Sequence, residues 1–291
     1  MVDYKTQYQK YLNAFNTQLD VAFNSISSIP KILYDAMSYA VYDGGKRVRP
    51  VLCFATAEML GLSCNDVKEF AVAIELIHSY SLVHDDLPAM DNDDYRRGKL
   101  STHKKFGEAN GILAGDALLN FAFEHCLSRE DFTVNHVKAL KVLSEYAGAS
   151  GMIAGQILDL QNEKNSTPDE NTLYSIYYNK TAKLLTAPLL IASYVSGGKY
   201  YNELKEFGYN LGVMFQMTDD LMDVEGTVES IGKTPNKDLA ADKLTSIKVF
   251  GLEQTRQKIN FHYQKCIEIL NKIPNSQFLE ALTNQMYVRK K

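Results

Sequence analysis

No apolar run in the 291-residue chain approaches the length that crossing a membrane requires; the longest, 184–195, is short and is interrupted by Pro188. The first residues, Met1-Val2-Asp3-Tyr4-Lys5, lack the basic start and apolar stretch of a secretory signal. Cysteine is scarce as well. Cys53, Cys64, Cys126 and Cys266 are widely separated and form no Cys-x-x-Cys, which argues against a disulfide framework and against thiolate zinc sites. A cytoplasmic protein with reduced thiols is the expectation. The six histidines share no metal-ligand spacing, and no Gly-x-Ser-x-Gly nucleophile elbow occurs. A formal net charge of -4 leaves no domain-wide basic field, so nucleic acid is not an expected partner.

Strand signals are equally thin. There is no sustained alternation and no series of Asn-Gly or Asp-Gly turns. No linker rich in Pro, Gly or Ser divides the chain, and no short repeat is present. The period that remains is helical. Val67, Phe70, Ile74, Ile77, Ser81 and His84 follow i, i+3/i+4 spacing, and 70–83 is apolar on nearly every side, which predicts a helix buried all round. Leu204, Phe207, Leu211 and Met214 predict a second such helix, leading into Asp219. Thr167-Pro168-Asp169-Glu170 reads as a capping box with proline in the first helical position. The helix it opens carries Leu173, Ile176, Tyr177, Lys180 and Leu184 on one stripe and should bend at Pro188, which removes a backbone bond to Leu184. Gly44-Gly45 and Gly197-Gly198 read as breaks between helices; Gly111-x-x-x-Gly115 and Gly151-x-x-x-Gly155 read as close helix contacts. One all-α domain over 1–291 is predicted.

Two aspartate-rich segments close those buried helices: Asp85-Asp86-Leu87-Pro88-Ala89-Met90-Asp91 and Asp219-Asp220-Leu221-Met222-Asp223. Grouping carboxylates beside apolar helices is unfavourable unless cations compensate them. Hard oxygen donors of this kind suit Mg²⁺, which keeps positions open for phosphate oxygens. The spacing of Asp219 and Asp223 sets both on one helical face. Pro88 makes a regular helix through Asp91 untenable, so the first segment should bulge and bring Asp91 back toward Asp85.

Basic residues complete the pattern. Gly44-Gly45-Lys46-Arg47-Val48-Arg49-Pro50 and Arg96-Arg97-Gly98 supply forks and point charges suited to a diphosphate, although the first is not a P-loop. Lys180 on an apolar stripe needs an anionic partner or a route to the surface. Gln156 and Gln216 are amides in apolar helices, open to either a packing or a binding role.

Taken together, the chain resembles the trans-prenyl diphosphate synthases, and within them the bacterial farnesyl diphosphate synthase type. The likeness rests on GGKRVRP at 44–50, the block from Glu75 through Gly98, FGEA at 106–109 and GDALL at 115–119. It continues with GQILDL at 155–160, Lys180-Thr181, FQMTDDLMD at 215–223 and Gly232-Lys233. The four residues before Asp91, with Pro88-Ala89 as the extra pair, are similar to the bacterial farnesyl form of the first motif. The resemblance implies a helical prenyltransferase bundle with a deep central cavity, usually a homodimer, and three Mg²⁺ per site. It implies Asp85, Asp91 and Asp219 as metal ligands, supported by Asp86, Asp220 and Asp223. Arg96, Lys180, Thr181, Gln216 and Lys233 would hold the allylic diphosphate, and Lys46, Arg49, His78 and Arg97 isopentenyl diphosphate. Two departures stand out: Leu244-Thr245-Ser246-Ile247 replaces the family's usual Thr-Tyr-Pro turn, and the ending Tyr287-Val288-Arg289-Lys290-Lys291 is only loosely similar to a basic tail that covers the site.

The implied reaction is head-to-tail condensation of isopentenyl diphosphate with dimethylallyl or geranyl diphosphate. Metal ions and cations stabilise the leaving diphosphate, and no separate base motif is needed. Tyr80, five residues before Asp85, should lie about 7.5 Å deeper on the helix and floor a fifteen-carbon pocket, with Ser81 leaving some room beside it. Farnesyl diphosphate is the expected product. A geranylgeranyl diphosphate synthase is the alternative, while a terpene cyclase or a non-catalytic subunit would not keep both aspartate clusters and Lys46, Arg49 and Arg97.

Overall fold

Asp3 opens the first helix, its carboxylate accepting the Thr6 amide at 3.2 Å, and α1 runs Tyr4–Ser25. A computed structural model describes residues 3–42, 44–163, 167, 169–225 and 243–289. After α1 come α2 (Lys31–Tyr42), α3 (Val48–Met59), a 3₁₀ turn at Cys64–Asp66 and α4 (Lys68–Asp85). A two-stranded hairpin, β1 (Tyr95–Arg96) and β2 (Lys99–Leu100), leads to α5 (Thr102–Phe106), α6 (Glu108–Leu127), α7 (Val134–Ala147) and α8 (Met152–Gln161). Then follow α9 (Glu170–Ile176), a π-helical turn (Tyr177–Ala182), α10 (Lys183–Val195), α11 (Tyr201–Glu225), α12 (Ser246–Leu270) and α13 (Gln277–Tyr287). The all-α reading holds, and no described helix is long and apolar enough to cross a membrane.

The centre of the bundle is α4. Phe70, Ile74, Leu76 and Ile77 have no exposed surface, and α1, α2, α3, α6 and α10 all pack against this helix. Burying each such side chain contributes roughly 1.5–3 kcal/mol, which makes α4 the fixed post on which Asp85 stands. Leu204, Phe207, Leu211 and Met214 are fully buried on α11, which packs on α10 and α12 and holds Asp219 near its end.

Three local expectations need correction. Among the described residues there is one sheet, an antiparallel hairpin pairing Tyr95 with Leu100 and Arg96 with Lys99. Its turn is Arg97-Gly98, both at positive φ (52° and 80°), a conformation that Arg-Gly supplies without an Asn-Gly signature. The cap of α9 is Asp169, which accepts the Thr172 amide at 2.8 Å, so the helix starts later than the Thr167 box implied. Helix α10 runs unbroken through Pro188; the chain leaves α geometry upstream, in the π turn.

The small-residue spacings do serve close packing. A β-carbon on Gly115 would stand 2.0 Å from the His84 ring of α4. One on Gly155 would stand 2.1 Å from the Lys180 amide nitrogen, so α8 rests directly on the π-turn backbone.

Candidate active site

Helix α4 ends at Asp85, and the chain doubles back beneath it. The Asp91 amide donates to the Asp85 carbonyl at 2.8 Å and the Asp93 amide to the Asp86 carbonyl at 3.2 Å, with Asn92 at φ 51° making the corner. This is the return of Asp91 that Pro88 required. The two adjacent aspartates then diverge. Asp85 faces a cavity, and its carboxyl is pushed up to about 6 by burial, with Lys180 opposing and Asp91 adding to the shift. Asp86 is buried at 3% exposure and taken by Arg96, whose Nε lies 2.9 and 3.1 Å from its two oxygens. Asp86 and Arg96 are therefore bound to each other, although the sequence suggested separate roles on metal and diphosphate.

The second cluster divides the same way. Asp219 lines the cavity, whereas Asp220 (3% exposed) and Asp223 (1%) are buried. Asp220 Oδ2 accepts from the Tyr177 hydroxyl, from the Ser246 amide at 2.7 Å and from Ser246 Oγ at 2.8 Å. Its Oδ1 accepts from Gln216 Nε2 at 3.2 Å, and Gln216 Oε1 accepts from Thr181 Oγ1 at 2.8 Å. Burial pushes Asp220 up to about 6 against the pull of these donors. Adjacent helical residues point about 100° apart, which lets the two carboxylates of an Asp-Asp pair go to different surroundings.

The π turn presents Lys180 and Thr181 to the same space. Wide turns of this kind are frequent at functional sites. The partner that Lys180 needed is Asp159 of α8, buried at 8% exposure and hydrogen-bonded to Nζ. Gln156 also lines the cavity; Gln216 does so while satisfied on both sides by Thr181 and Asp220.

The basic segment at 46–49 splits by direction too. Arg47, at φ 52°, turns inward, donating to Glu75 Oε1 at 2.6 Å and to the Val41 carbonyl, with both ionic side chains buried. Arg49 lines the cavity, and its buried Nε has no hydrogen-bond partner. Burial lowers its pKa to about 10, with Arg97 adding to the shift. Beside it His78 is held well below its usual range by burial and then by Arg49, Arg97, Arg96 and Arg47, and is therefore neutral. Lys46 lies in a neighbouring groove with Phe215 and Arg289, and Arg97 donates to the Gly44 carbonyl at 2.8 Å. Lys46, Arg96 and Arg97 thus stand around the cavity and are not among its lining residues. Lys233 lies outside the described residues.

Two cations lie against the acidic clusters. Lys243 Nζ is 3.4 Å from Asp91 Oδ1, and Arg289 reaches Asp219 while lying 3.9 Å over the Phe215 ring. Arg289 of the loosely similar C-terminal segment therefore reaches the site. Among the described residues no three histidine, cysteine or carboxylate groups converge into a closed metal cage. Hard carboxylates at Asp85, Asp91 and Asp219, with burial raising Asp85, fit an ion such as Mg²⁺, which takes one or two protein oxygens and completes its shell with phosphate and water.

The cavity has a volume of about 750 Å³, within the range of substrate pockets. Tyr80 and Ser81 line it together with Leu119, Met152 and Ile157. Tyr80 is 5% exposed, its ring edge-on to His84 at 5.8 Å, and its buried hydroxyl has no hydrogen-bond partner. Sequence reasoning missed Glu75, Tyr177, Asp159 and Ser246. Glu75 and Asp159 left a signal as lone acids in apolar helical runs, and Ser246 left one as part of the departure after Lys243; Tyr177 left none.

Comparison with known proteins agrees with this geometry. The polyprenyl synthetase family model matches residues 30–286. The farnesyl diphosphate synthase of Micrococcus luteus is 40% identical over 289 residues, 98% of each chain. A chloroplastic geranylgeranyl pyrophosphate synthase of Capsicum annuum is 42% identical over 246 residues, 83% of this chain and 66% of its own. The crystal structure of a geranyltransferase from Helicobacter pylori, complexed with magnesium and isoprenyl diphosphate, superposes with a TM-score of 0.84 at 30% identity, covering 97% of both chains. With its aspartate clusters, π-turn lysine and basic loop on one helical frame, the chain belongs to the polyprenyl synthetase family.

Proposed function

We propose that this protein is a Mg²⁺-dependent prenyltransferase. It joins isopentenyl diphosphate head-to-tail to dimethylallyl or geranyl diphosphate, making mainly farnesyl diphosphate and releasing diphosphate. One observation carries the reading: a single cavity lined by Asp85, Asp219, Lys180 and Arg49 is also lined by Tyr80, five residues deeper on α4. A charged head group and an apolar tail of limited length are what such a space accepts.

Asp85, Asp91 and Asp219 would hold Mg²⁺, with three ions per site as the count to be tested and Asp223 behind them. Bound Mg²⁺ supplies Lewis-acid stabilisation of charge on the leaving diphosphate. Lys180, Thr181 and Gln216 would grip the allylic diphosphate, and the resemblance adds Arg96 and Lys233 to that set. Arg49, Lys46, Arg97 and neutral His78 would hold isopentenyl diphosphate. Burial and the surrounding guanidiniums disfavour a proton on His78, and in this reading the departing diphosphate would take the proton lost after carbon–carbon bond formation. Exposed apolar residues on α6 and α7, among them Leu113, Leu127, Val134 and Val137, support a homodimer, and four unpaired thiols support a cytoplasmic enzyme.

The test is direct. Purified protein with Mg²⁺, isopentenyl diphosphate and dimethylallyl or geranyl diphosphate should yield a fifteen-carbon product on chromatography. Asp85→Ala and Asp219→Ala should each abolish turnover with helical content unchanged by circular dichroism. No condensation under any metal condition would refute the proposal. A second reading, a geranylgeranyl diphosphate synthase, rests on the small Ser81 beside Tyr80 in the cavity wall and predicts a twenty-carbon main product.

A further inference from the structure

We infer that Ser246 and Tyr177 are positioning residues that act through Asp220 to fix the allylic-diphosphate side of the site. The inference rests on the diphosphate reading above and concerns a part of it that the aspartate motif alone does not suggest. Ser246 stands where the usual Thr-Tyr-Pro turn of the family is missing, just before which Lys243 reaches Asp91.

The contacts form one junction of three elements. Ser246 begins α12, with Thr245 as its cap accepting the Lys248 amide at 3.3 Å. Its amide donates both to Tyr177 Oη at 2.7 Å and to Asp220 Oδ2 at 2.7 Å, and its hydroxyl donates to the same Oδ2 at 2.8 Å. Tyr177 begins the π turn and in turn donates to Asp220. Ser246 has no exposed surface, and Tyr177 and Asp220 each have 3%. Such a buried carboxylate is held where its donors put it, because leaving any of them unpaired is unfavourable.

Each arm leads to a residue of the cavity or the clusters. From Tyr177 the π turn carries Lys180 and Thr181. From Asp220 the chain reaches Asp219 directly and Gln216 by a hydrogen bond that continues to Thr181. From Ser246, Leu244 is buried at 3% and Lys243 pairs with Asp91. Arg49 and His78 stand on other elements, α3 and α4, and the hydrogen bonds of the junction run among Tyr177, Asp220, Ser246, Gln216 and Thr181, although the charge of Asp219 does act on Arg49. A loosened junction should therefore weaken one substrate and spare the other.

Ser246→Ala removes one donor and keeps the amide; Tyr177→Phe removes the other side-chain donor. Both are to be compared with wild type by steady-state kinetics in each substrate and by calorimetric titration with inorganic pyrophosphate in Mg²⁺. The expected result for Ser246→Ala is a KM for geranyl diphosphate raised roughly tenfold, the scale of one hydrogen bond to a charged group, with KM for isopentenyl diphosphate within about twofold. Pyrophosphate affinity should fall in parallel, and Ser246→Thr, which restores a hydroxyl, should recover both. Unchanged values in Ser246→Ala and Tyr177→Phe would overturn the inference. So would an equal rise in both KM values that Ser246→Thr does not reverse, because that is general loosening of the fold. A wild-type protein that binds no Mg²⁺–pyrophosphate would instead refute the diphosphate reading itself.

Discussion

Gly155 and Lys180 meet backbone to backbone: a β-carbon on Gly155 would lie 2.1 Å from the Lys180 nitrogen and 2.6 Å from its Cα. No flexible side chain is available there to move aside. Gly155→Ala should gain up to about 1 kcal/mol of helix propensity in α8 and still lose overall, because the π turn must shift. Expected are a lower melting temperature and a fall in kcat/KM of roughly tenfold or more, the scale of a small misplacement of substrate-binding groups. Calorimetry and steady-state kinetics on the one variant check both.

Tyr80 lines the cavity with a ring that makes no hydrogen bond through its buried hydroxyl. Removing the ring should lengthen the product with little loss of condensation rate. Tyr80→Ala is expected to shift the main product beyond fifteen carbons, while Tyr80→Phe should keep the wild-type profile, since only shape is at issue. Chromatography of the dephosphorylated products separates these outcomes. A fifteen-carbon limit in Tyr80→Ala would assign the floor to other residues.

Glu75 lies at 2% exposure in an otherwise apolar helix and is neutralised by Arg47. Glu75→Leu would strand a buried guanidinium and should lower stability by about 3–5 kcal/mol in urea unfolding. The double change Arg47→Met with Glu75→Leu should recover most of that. It should not recover the KM for isopentenyl diphosphate, because Arg47 also ties the loop bearing Lys46 to the Val41 carbonyl.

His262 is buried on α12, its Nδ1 2.8 Å from Asn210 Oδ1, and burial lowers its pKa from the usual 6.5 to about 4. The sign follows from protons bound. The unfolded chain takes up a proton near 6.5 that the folded chain refuses until about 4. This stabilisation is thus fully present above about 6.5 and is lost as pH falls toward 4, amounting to about 3 kcal/mol at most. His262→Gln should flatten that part of the stability profile between those pH values in denaturant titrations.

The apolar period of 67–84 and of 204–214 was enough to read both central helices, and the charge of the clusters pointed to a cation site between them. Pro88 was enough to predict the return of Asp91. What the sequence could not show was which way neighbouring charges point. Asp85 and Asp86 look alike in one dimension, as do Arg47 and Arg49, yet in each pair one side chain faces the cavity and the other is locked to a protein partner. Direction comes from tertiary contacts that have no local signature. The π turn was hidden for a related reason, since no residue preference marks it, whereas Pro188 drew attention to a stretch that stays in one continuous helix.

That π turn has a consequence for how the chain tolerates change in length. A π turn holds one residue more than the α-helix it interrupts, and here it joins α9 to α10 with no residue between them. Deleting Asn179 would let the helix close into regular α geometry, leaving the packing of Leu173 and Leu184 much as it is while swinging Lys180 to a different bearing. What the extra residue adds is the bearing of a single ammonium group, on a stretch of backbone against which Gly155 of α8 is also packed.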